Sequence, residues 1–375
     1  MKKVIATVGT SIFLNYLDEH TDVRVDYDYI KKRRSREWDA CKKRIERIKR
    51  SVTEWVVNAG DGASAEIKSL LKLHKKEKDH LEVYLLATDT VESRLAAEII
   101  KDVFDRDVFG IGQQVKVFFN EHYDVIRGLQ VENYHEFVRE GAHNFVKRIH
   151  QLAGHSFADT IFNISGGYKG LIPFMTVMAQ VNRCDIVYIY EESETLISLP
   201  KAPIIVDTEF MEKSYNELVM LDHGIENYDE AKANNYQKFL ELEEKGFVEF
   251  LEDFAFLSPI GQVFLENFQS QNFVFYCSDE VWNEIQRQPD IQRILSEKFH
   301  SKKLRENKTE MKKVHTVYDD GNNDNRIYYF EADKLIYIYK TFENEEAAKE
   351  FIDSSLDKER IVKSSKPRKW RITHV

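Results

Sequence analysis

The chain has 375 residues, 42% of them hydrophobic, and a formal net charge of −10. That is enough for two or three domains with cores of their own, and no apolar run approaches the roughly 18 residues of a membrane span. Three scattered cysteines (Cys41, Cys184, Cys277), with no C-x-x-C and no H-E-x-x-H, exclude a disulfide scaffold and the common zinc sites, so the chain reads as soluble, cytoplasmic and metal-free.

Residues 1–205 alternate strand and helix patterns. The opening Met1–Val8 is too short, and too soon followed by charge, for a secretory signal; it reads as the start of a core strand. Strands are expected at Val4–Gly9, Glu82–Ala87, Val115–Phe119, Thr160–Ile164, Ile186–Tyr190 and Leu196–Leu199. Helical patterns fall at about 35–59, 62–75, 91–104, 131–153 and 168–182. Near-continuous apolar strands separated by helices imply a mainly parallel sheet covered on both faces. Such sheets bind ligands beyond the carboxyl ends of their strands. The run Lys31-Lys32-Arg33-Arg34 reads as a solvated face.

Three expected strands end in turns rich in hydroxyls and glycines. These are Gly9-Thr10-Ser11, Thr88-Asp89-Thr90 (with Glu92 and Ser93 opening a helix) and Ser165-Gly166-Gly167-Tyr168-Lys169-Gly170. Glycines admit close backbone approach, helix N-termini supply unsatisfied donors, and Lys169 adds a full charge, so the set suits phosphates. Neither a Walker A loop nor G-x-G-x-x-G is present, which argues against an ATPase or an ordinary dinucleotide site. The competing reading is that the glycines only make tight turns.

"VGTS" after the first strand, "NISGGYKG" (Asn163–Gly170), "LISLPKAP" and "IRGLQVENYHEFVREGAHNFV" (Ile126–Val146) resemble the CARF sensor domains of type III CRISPR effectors. The resemblance covers roughly 1–205. It implies a Rossmann-like sheet, a two-fold homodimer and a cyclic oligoadenylate activator bound across the dimer, with cyclic tetra-adenylate favoured over hexa-adenylate. Gly9, Thr10, Ser11 and Thr88 would then face the ring, and Ser165, Gly166, Gly167, Tyr168 and Lys169 would hold phosphate and ribose. Tyr168 has the alternative of packing into the core. Some relatives slowly cleave their ligand, a chemistry that Ser11 and Lys169 would assist.

Residues 206–270 change character. A polar helical stretch (213–243) precedes "LEEKGFVEFLEDFAFLSPIGQVFLENF" (Leu242–Phe268), which reads as a helix end at Gly246, an aromatic hairpin, a Ser258-Pro259 cap and a helix. The pattern is winged-helix-like, with a plain helical spacer as the alternative. Lys245 stands among several acids there, so this segment reads as a connector and DNA is not an expected partner.

Residues 271–375 carry 20 Lys and Arg against 19 Asp and Glu, so 1–270 holds a net charge of about −11. The expected order is a strand (Phe273–Cys277), helices (about 279–299), strands at Lys313–Tyr318, Arg326–Glu331 and Lys334–Lys340, a helix at about 343–356 and a basic tail. "FHSKKLRENKTEMKKVH" (Phe299–His315) and "KSSKPRKWRITHV" concentrate the cations. This order, with "NRIYYFEADKLIYIYKTF" (Asn325–Phe342), resembles RelE-type toxins, which cut mRNA on the ribosome without a metal. The whole then reads as α/β: a Rossmann-like sensor (1–205), a helical, winged-helix-like connector (206–270) and a small α+β RelE-like ribonuclease (271–375).

Metal-free RNA cleavage uses the 2′-hydroxyl as nucleophile and needs a base, cations for the charge on phosphorus and an acid for the leaving oxygen. Arg326 falls on the superfamily's strand arginine, which implies phosphate stabilisation. Lys302, Lys303, Lys308, Lys312 and Lys313 are candidates for binding or general base, Lys340 closes the last strand, and His315, Tyr329 and His374 are candidate acids. No cofactor is expected. A HEPN ribonuclease, for which Arg293 and His300 have the spacing, conflicts with the strands expected at 313–340. A metal-dependent nuclease would need an E-x-K strand, and neither Glu243-Glu244-Lys245 nor Glu331–Lys334 supplies one. A non-catalytic, ligand-responsive transcription regulator is the remaining alternative.

Overall fold

The computed structural model describes residues 1–130, 132–154, 156–189, 195–321 and 323–373. Tyr190 of an expected strand, Asn322 of an expected turn and the candidate acid His374 lie outside the described residues. The chain divides into two compact units: 1–206 with 224–234 and 240–266, and 207–223 with 235–239 and 267–375. Residues 206–270, read as a connector, are thus shared between them.

The first unit opens with β1 (Lys2–Val8), α1 (Ser11–Glu19), α2 (Arg24–Ile30), α3 (Trp38–Ala59), α4 (Ala65–Glu77), β2 (Leu81–Thr88), α5 (Val91–Asp105), β3 (Val115–Phe118) and β4 (Val125–Ile126). Next come α6 (Tyr134–Glu136), which runs through a π-type turn into α7 (Ala142–Ala153), then β5 (Thr160–Asn163), α8 (Ile172–Val181), β6 (Asp185–Ile189) and β7 (Leu196–Leu199). The sheet order is β3-β2-β1-β5-β6-β7, with β4 extending the β2 edge. All pairs are parallel except β6 with β7. This is a mixed α/β fold compatible with a Rossmann-like sheet.

The continuous apolar run of β1 explains its central place. Val4, Ala6 and Val8 join the core that takes in α3, α4 and α5, while Ile5 joins the core of α7 and α8 on the opposite face. The sequence reading passed over α1 and α2. Their signal was short: Ile12, Phe13, Tyr16 and Leu17 form one buried stripe over barely two turns.

Next along the chain come α9 (Thr208–Lys213), α10 (Tyr215–His223), α11 (Tyr228–Asn234), α12 (Tyr236–Glu244), the hairpin β8 (Val248–Leu251) with β9 (Phe254–Leu257), and α13 (Pro259–Gln271). Gly246 (φ +72°) ends α12, and Ser258 Oγ accepts from Gly261 N at 3.1 Å while donating to Gly246 O at 2.7 Å. Leu251 and Val263 enter the α7–α8 core of the first unit.

The second unit continues with β10 (Asn272–Cys277), α14 (Asp279–Ile285), α15 (Pro289–Ile294) and α16 (Lys302–Asn307). It is completed by β11 (Thr309–Lys312), β12 (His315–Asp319), β13 (Arg326–Ala332), β14 (Leu335–Phe342), α17 (Glu345–Phe351), α18 (Lys358–Ser364) and β15 (Lys366–Arg371). The order is β11-β12-β13-β14-β10-β15, with β10 parallel to β14 and the other pairs antiparallel.

Two expectations change here. The single strand expected at Lys313–Tyr318 is a hairpin that turns at Lys313 (φ +57°), so the strand begins only at His315. The expected basic tail is a strand: Lys366–Arg371 pairs along the whole of β10, and Trp370 meets Trp282 edge to face at 5.8 Å. An edge of six open backbone positions on β10 is satisfied by this pairing.

Candidate functional site

The three sequence-identified turns converge within the first unit on one cavity of about 420 Å³. Val8 ends β1 and Gly9 and Thr10 follow it, Thr88 ends β2 and Thr90 follows, and Gly167, Tyr168 and Lys169 follow β5; Lys32, Glu92, Ser93, Gln130 and Glu132 complete the lining. The cavity therefore lies at strand carboxyl ends, beside β1 and β5, where the chain changes its direction of travel across the sheet.

Glycine is required where the first and third turns touch. A Cβ on Gly9 would come within 2.8 Å of Gly167 N, and one on Gly167 (φ +96°) within 2.7 Å of the Thr7 side chain. Thr7 Oγ1 donates to Gly166 O at 2.7 Å. The glycines thus make a tight turn and also let two backbones meet at the cavity floor, so the two readings of the sequence are not exclusive.

Ser11, Ser165 and Gly166 do not line the cavity; they brace it. Ser165 Oγ donates to Asn163 Oδ1 at 2.7 Å and accepts from Ile189 N at 3.0 Å. Ser11 Oγ donates to Glu66 Oε2 at 3.2 Å, and the same carboxylate accepts Gly9 N at 2.7 Å. Glu66 was not anticipated, since nothing in "ASAEIKSLL" marks the residue as more than a helix-opening acid.

On the opposite wall, Thr90 caps α5 through Ser93 N at 3.2 Å, and Ser93 Oγ donates to Val8 O at 2.9 Å while accepting Thr88 N at 3.1 Å. Asp89 turns away from the cavity. It takes Gly128 N at 3.3 Å, bonds the Ser35 hydroxyl and lies 3.8 Å from Arg34, which forks onto Glu136 at 2.7 and 2.6 Å. The Lys31–Arg34 run is therefore split between solvent and site. Lys32 lines the cavity and pairs with Glu132 at its rim, whereas Arg34 ties down the Asp89 turn. Burial raises the Glu92 carboxyl above its ordinary value, against the pull of the Tyr27 hydroxyl that donates to it at 3.1 Å.

The arrangement offers glycine backbone, hydroxyls and two lysines around a concave site. Such a set can hold a phosphate-bearing ligand.

Residues 61–202, which include α4, β2 and everything through β7, match the model of a family described as CRISPR-associated protein (Cas_APE2256). This match supports a CRISPR-associated protein. It supports a role in CRISPR defence equally, and it includes the second and third cavity turns but neither the first turn nor residues 271–375.

In the second unit most candidate cations have carboxylate partners. Arg326 has a side chain 9% exposed, donates to Asn323 O at 2.7 Å and Asn325 O at 2.9 Å, and meets Asp319 at 3.0 Å. Lys308 meets Asp320 at 2.8 Å and Lys340 meets Glu284 at 2.5 Å. Lys302 pairs with Glu306 at 3.7 Å, Lys312 with Glu310 at 3.6 Å, and Lys313 with Asp353. Of the candidate set, Lys303 has no carboxylate partner among the described residues.

Two candidate acids are core groups. His315 is fully buried, with Nδ1 2.9 Å from Tyr339 Oη and Nε2 3.0 Å from Ser354 O, while Tyr329 packs against Phe299 and bonds Thr309 Oγ1 at 3.0 Å. Among the described residues no group of three or more His, Cys, Asp or Glu side chains is placed to hold a metal ion, and no helix is long and apolar enough to cross a membrane.

Proposed function

We propose that this chain is an effector of CRISPR defence whose first unit binds a cyclic oligoadenylate, with cyclic tetra-adenylate as the first candidate, and whose second unit is a ribonuclease under its control. The observation that carries the reading is the convergence of three turns from distant parts of the sequence, with Lys169, on one cavity at strand carboxyl ends. A homodimer would present this cavity twice, and a ring of even symmetry can engage the same loops from both copies.

The ribonuclease half is supported by the order of elements in the second unit: the strand β10, the helices α14, α15 and α16, and the antiparallel run β11–β14, an order that resembles RelE-type toxins. On this reading the 2′-hydroxyl gives up its proton and attacks the adjacent phosphate without a metal, the P–O5′ bond breaks, and the products are a 2′,3′-cyclic phosphate and a 5′-hydroxyl that takes up a proton. Lysines meet the RNA: exposed Lys303 directly, and exposed Lys302 and Lys313 and half-buried Lys312 by exchanging a carboxylate for a phosphate. Surface pairs of that kind are worth about 0–1 kcal/mol, so the exchange costs little. Arg326, held by two carbonyls and Asp319, serves chiefly to fix the start of β13.

The test is to incubate the protein with translating ribosomes and mRNA, with and without cyclic tetra-adenylate. Ligand-dependent cuts in the mRNA, resistant to EDTA, are expected. Their absence at saturating ligand defeats the ribonuclease reading, and absence of ligand binding in calorimetry defeats the sensor reading.

A further inference from the structure

α18 has no buried residue, and beneath it lies a cavity of about 320 Å³ bounded by Phe330, Glu331, Lys358, Glu359, Val362 and Lys363. This volume is in the range that accommodates a small ligand or one unit of a larger one. Its floor is a fixed aromatic plane: Phe330 stacks on Tyr337 with centroids 5.1 Å apart and rings inclined by 11°. Lys358 Nζ stands 5.4 Å from the Phe330 centroid, where a cation meets the negative face of the ring.

Several cations of the unit are held by carboxylates, and the two lysines at this cavity are among those that are not. Lys308, Lys313, Arg326, Lys340, Lys366 and Arg368 are each matched to a carboxylate. Lys358 and Lys363 have no carboxylate partner among the described residues, and both are exposed. Glu331 is already committed to the buried Arg305, at 2.9 Å, which leaves Glu359 as the acid facing the two ammonium groups.

We propose that this cavity is a subsite for one nucleotide of a single-stranded RNA. A base enters over Phe330 in place of the Lys358 ammonium, and Lys358 and Lys363 take the phosphates on either side of it. A π face under a base with cations along the backbone is the sequence-tolerant way of holding a single strand. A duplex cannot use it, because its bases are stacked inside the helix. The inference goes beyond the ribonuclease reading, since it requires RNA to bind here and not to be cut.

The experiment is fluorescence anisotropy of an end-labelled single-stranded RNA decamer titrated with the full chain over a series of salt concentrations. Phe330→Leu, which keeps an apolar side chain and removes the aromatic plane, should weaken binding about tenfold or more. The double variant Lys358→Gln/Lys363→Gln should weaken it several-fold and make the slope of log affinity against log salt about 1.4 less negative, two phosphates at about 0.7 each. A double-stranded RNA of the same length should not respond to Phe330→Leu.

Unchanged affinity and slope in the lysine double variant overturn the proposal, as does absence of single-strand binding by the wild type. The lysine variant keeps the test decisive if Phe330→Leu fails to fold, because both lysines are exposed. Binding that follows these predictions in a chain that cuts no RNA would defeat the ribonuclease reading alone.

Discussion

Glu66 Oε1 accepts the Gly9 N–H at 2.7 Å, placing a carboxylate that is 2% exposed directly under the turn that enters the ligand cavity. The same group takes the Ser11 hydroxyl, and it lies where a side chain on Gly166 would go: a Cβ there would be 1.9 Å from Oε1. One buried acid thus fixes the spacing of the β1 and β5 turns. Hydrogen bonds to charged groups contribute about 1.5–3 kcal/mol each, so Glu66→Ala, which loses two, should cost roughly 3–6 kcal/mol. Gly166→Ala should be destabilising alone and far milder in the Glu66→Ala background, where the colliding oxygens are gone. Urea unfolding of the four species measures this coupling; additive costs would show that Glu66 does not set the turn.

Lys169 is exposed and stands at the cavity, so its removal should affect binding and not folding. Lys169→Ala should raise the dissociation constant for cyclic tetra-adenylate about 10- to 100-fold, the worth of one charge-assisted contact, while stability changes by less than about 0.5 kcal/mol. Lys32→Ala should also weaken binding, since Lys32 lines the cavity and can exchange Glu132 for a phosphate. Calorimetric titration checks both, and wild-type affinity in Lys169→Ala would reduce the loop to a turn.

The strands that place the cavity were legible because β1, β2 and β5 are apolar on both faces, a pattern that parallel central strands share with few alternatives. The turns were legible because hydroxyls and glycines follow each strand. Lys32 was not. It reaches the cavity because Val91 N bonds Arg33 O at 2.8 Å and Arg34 bridges to Thr90, contacts across some 57 residues that leave no local trace. Arg326 shows the same limit from the other side. Its place at a strand start could be read, but its acid could not, since Asp319 is set opposite by the register of β12 on β13. Lys313 was misplaced for a backbone reason: the hydrophobic pattern of 313–318 suits a strand, while the chain turns there with positive φ.

Arg326 lies beside Asp319 with its side chain 9% exposed, and removing one partner of a largely buried pair costs about 3–5 kcal/mol. Arg326→Ala should therefore lose mRNA cleavage together with stability of the second unit, and leave the affinity of the first unit for its ligand unchanged. Paired denaturation and ligand-binding measurements separate these. Full stability with lost cleavage would return Arg326 to the chemistry.

His150 on α7 sets an acid limit on the first unit. Its Nε2 is buried without a partner among the described residues, the ring meets Phe157 edge to face at 5.0 Å, and burial lowers its pKa from 6.5 to about 4. The folded state therefore refuses a proton that the unfolded chain accepts. Stability is full above pH 6.5, falls as the pH drops from 6.5 towards 4, and levels off below that, because both states are then protonated. At 1.36 kcal/mol per unit, reduced for the partial exposure of the ring, the loss by pH 4 is roughly 2 kcal/mol. His150→Leu should remove this component, so the stability difference between variant and wild type should grow in the variant's favour as the pH falls from 6.5 to 4. Denaturant midpoints at pH 7, 5.5 and 4 measure it, and a pH-independent difference would show that His150 is protonated in the folded protein.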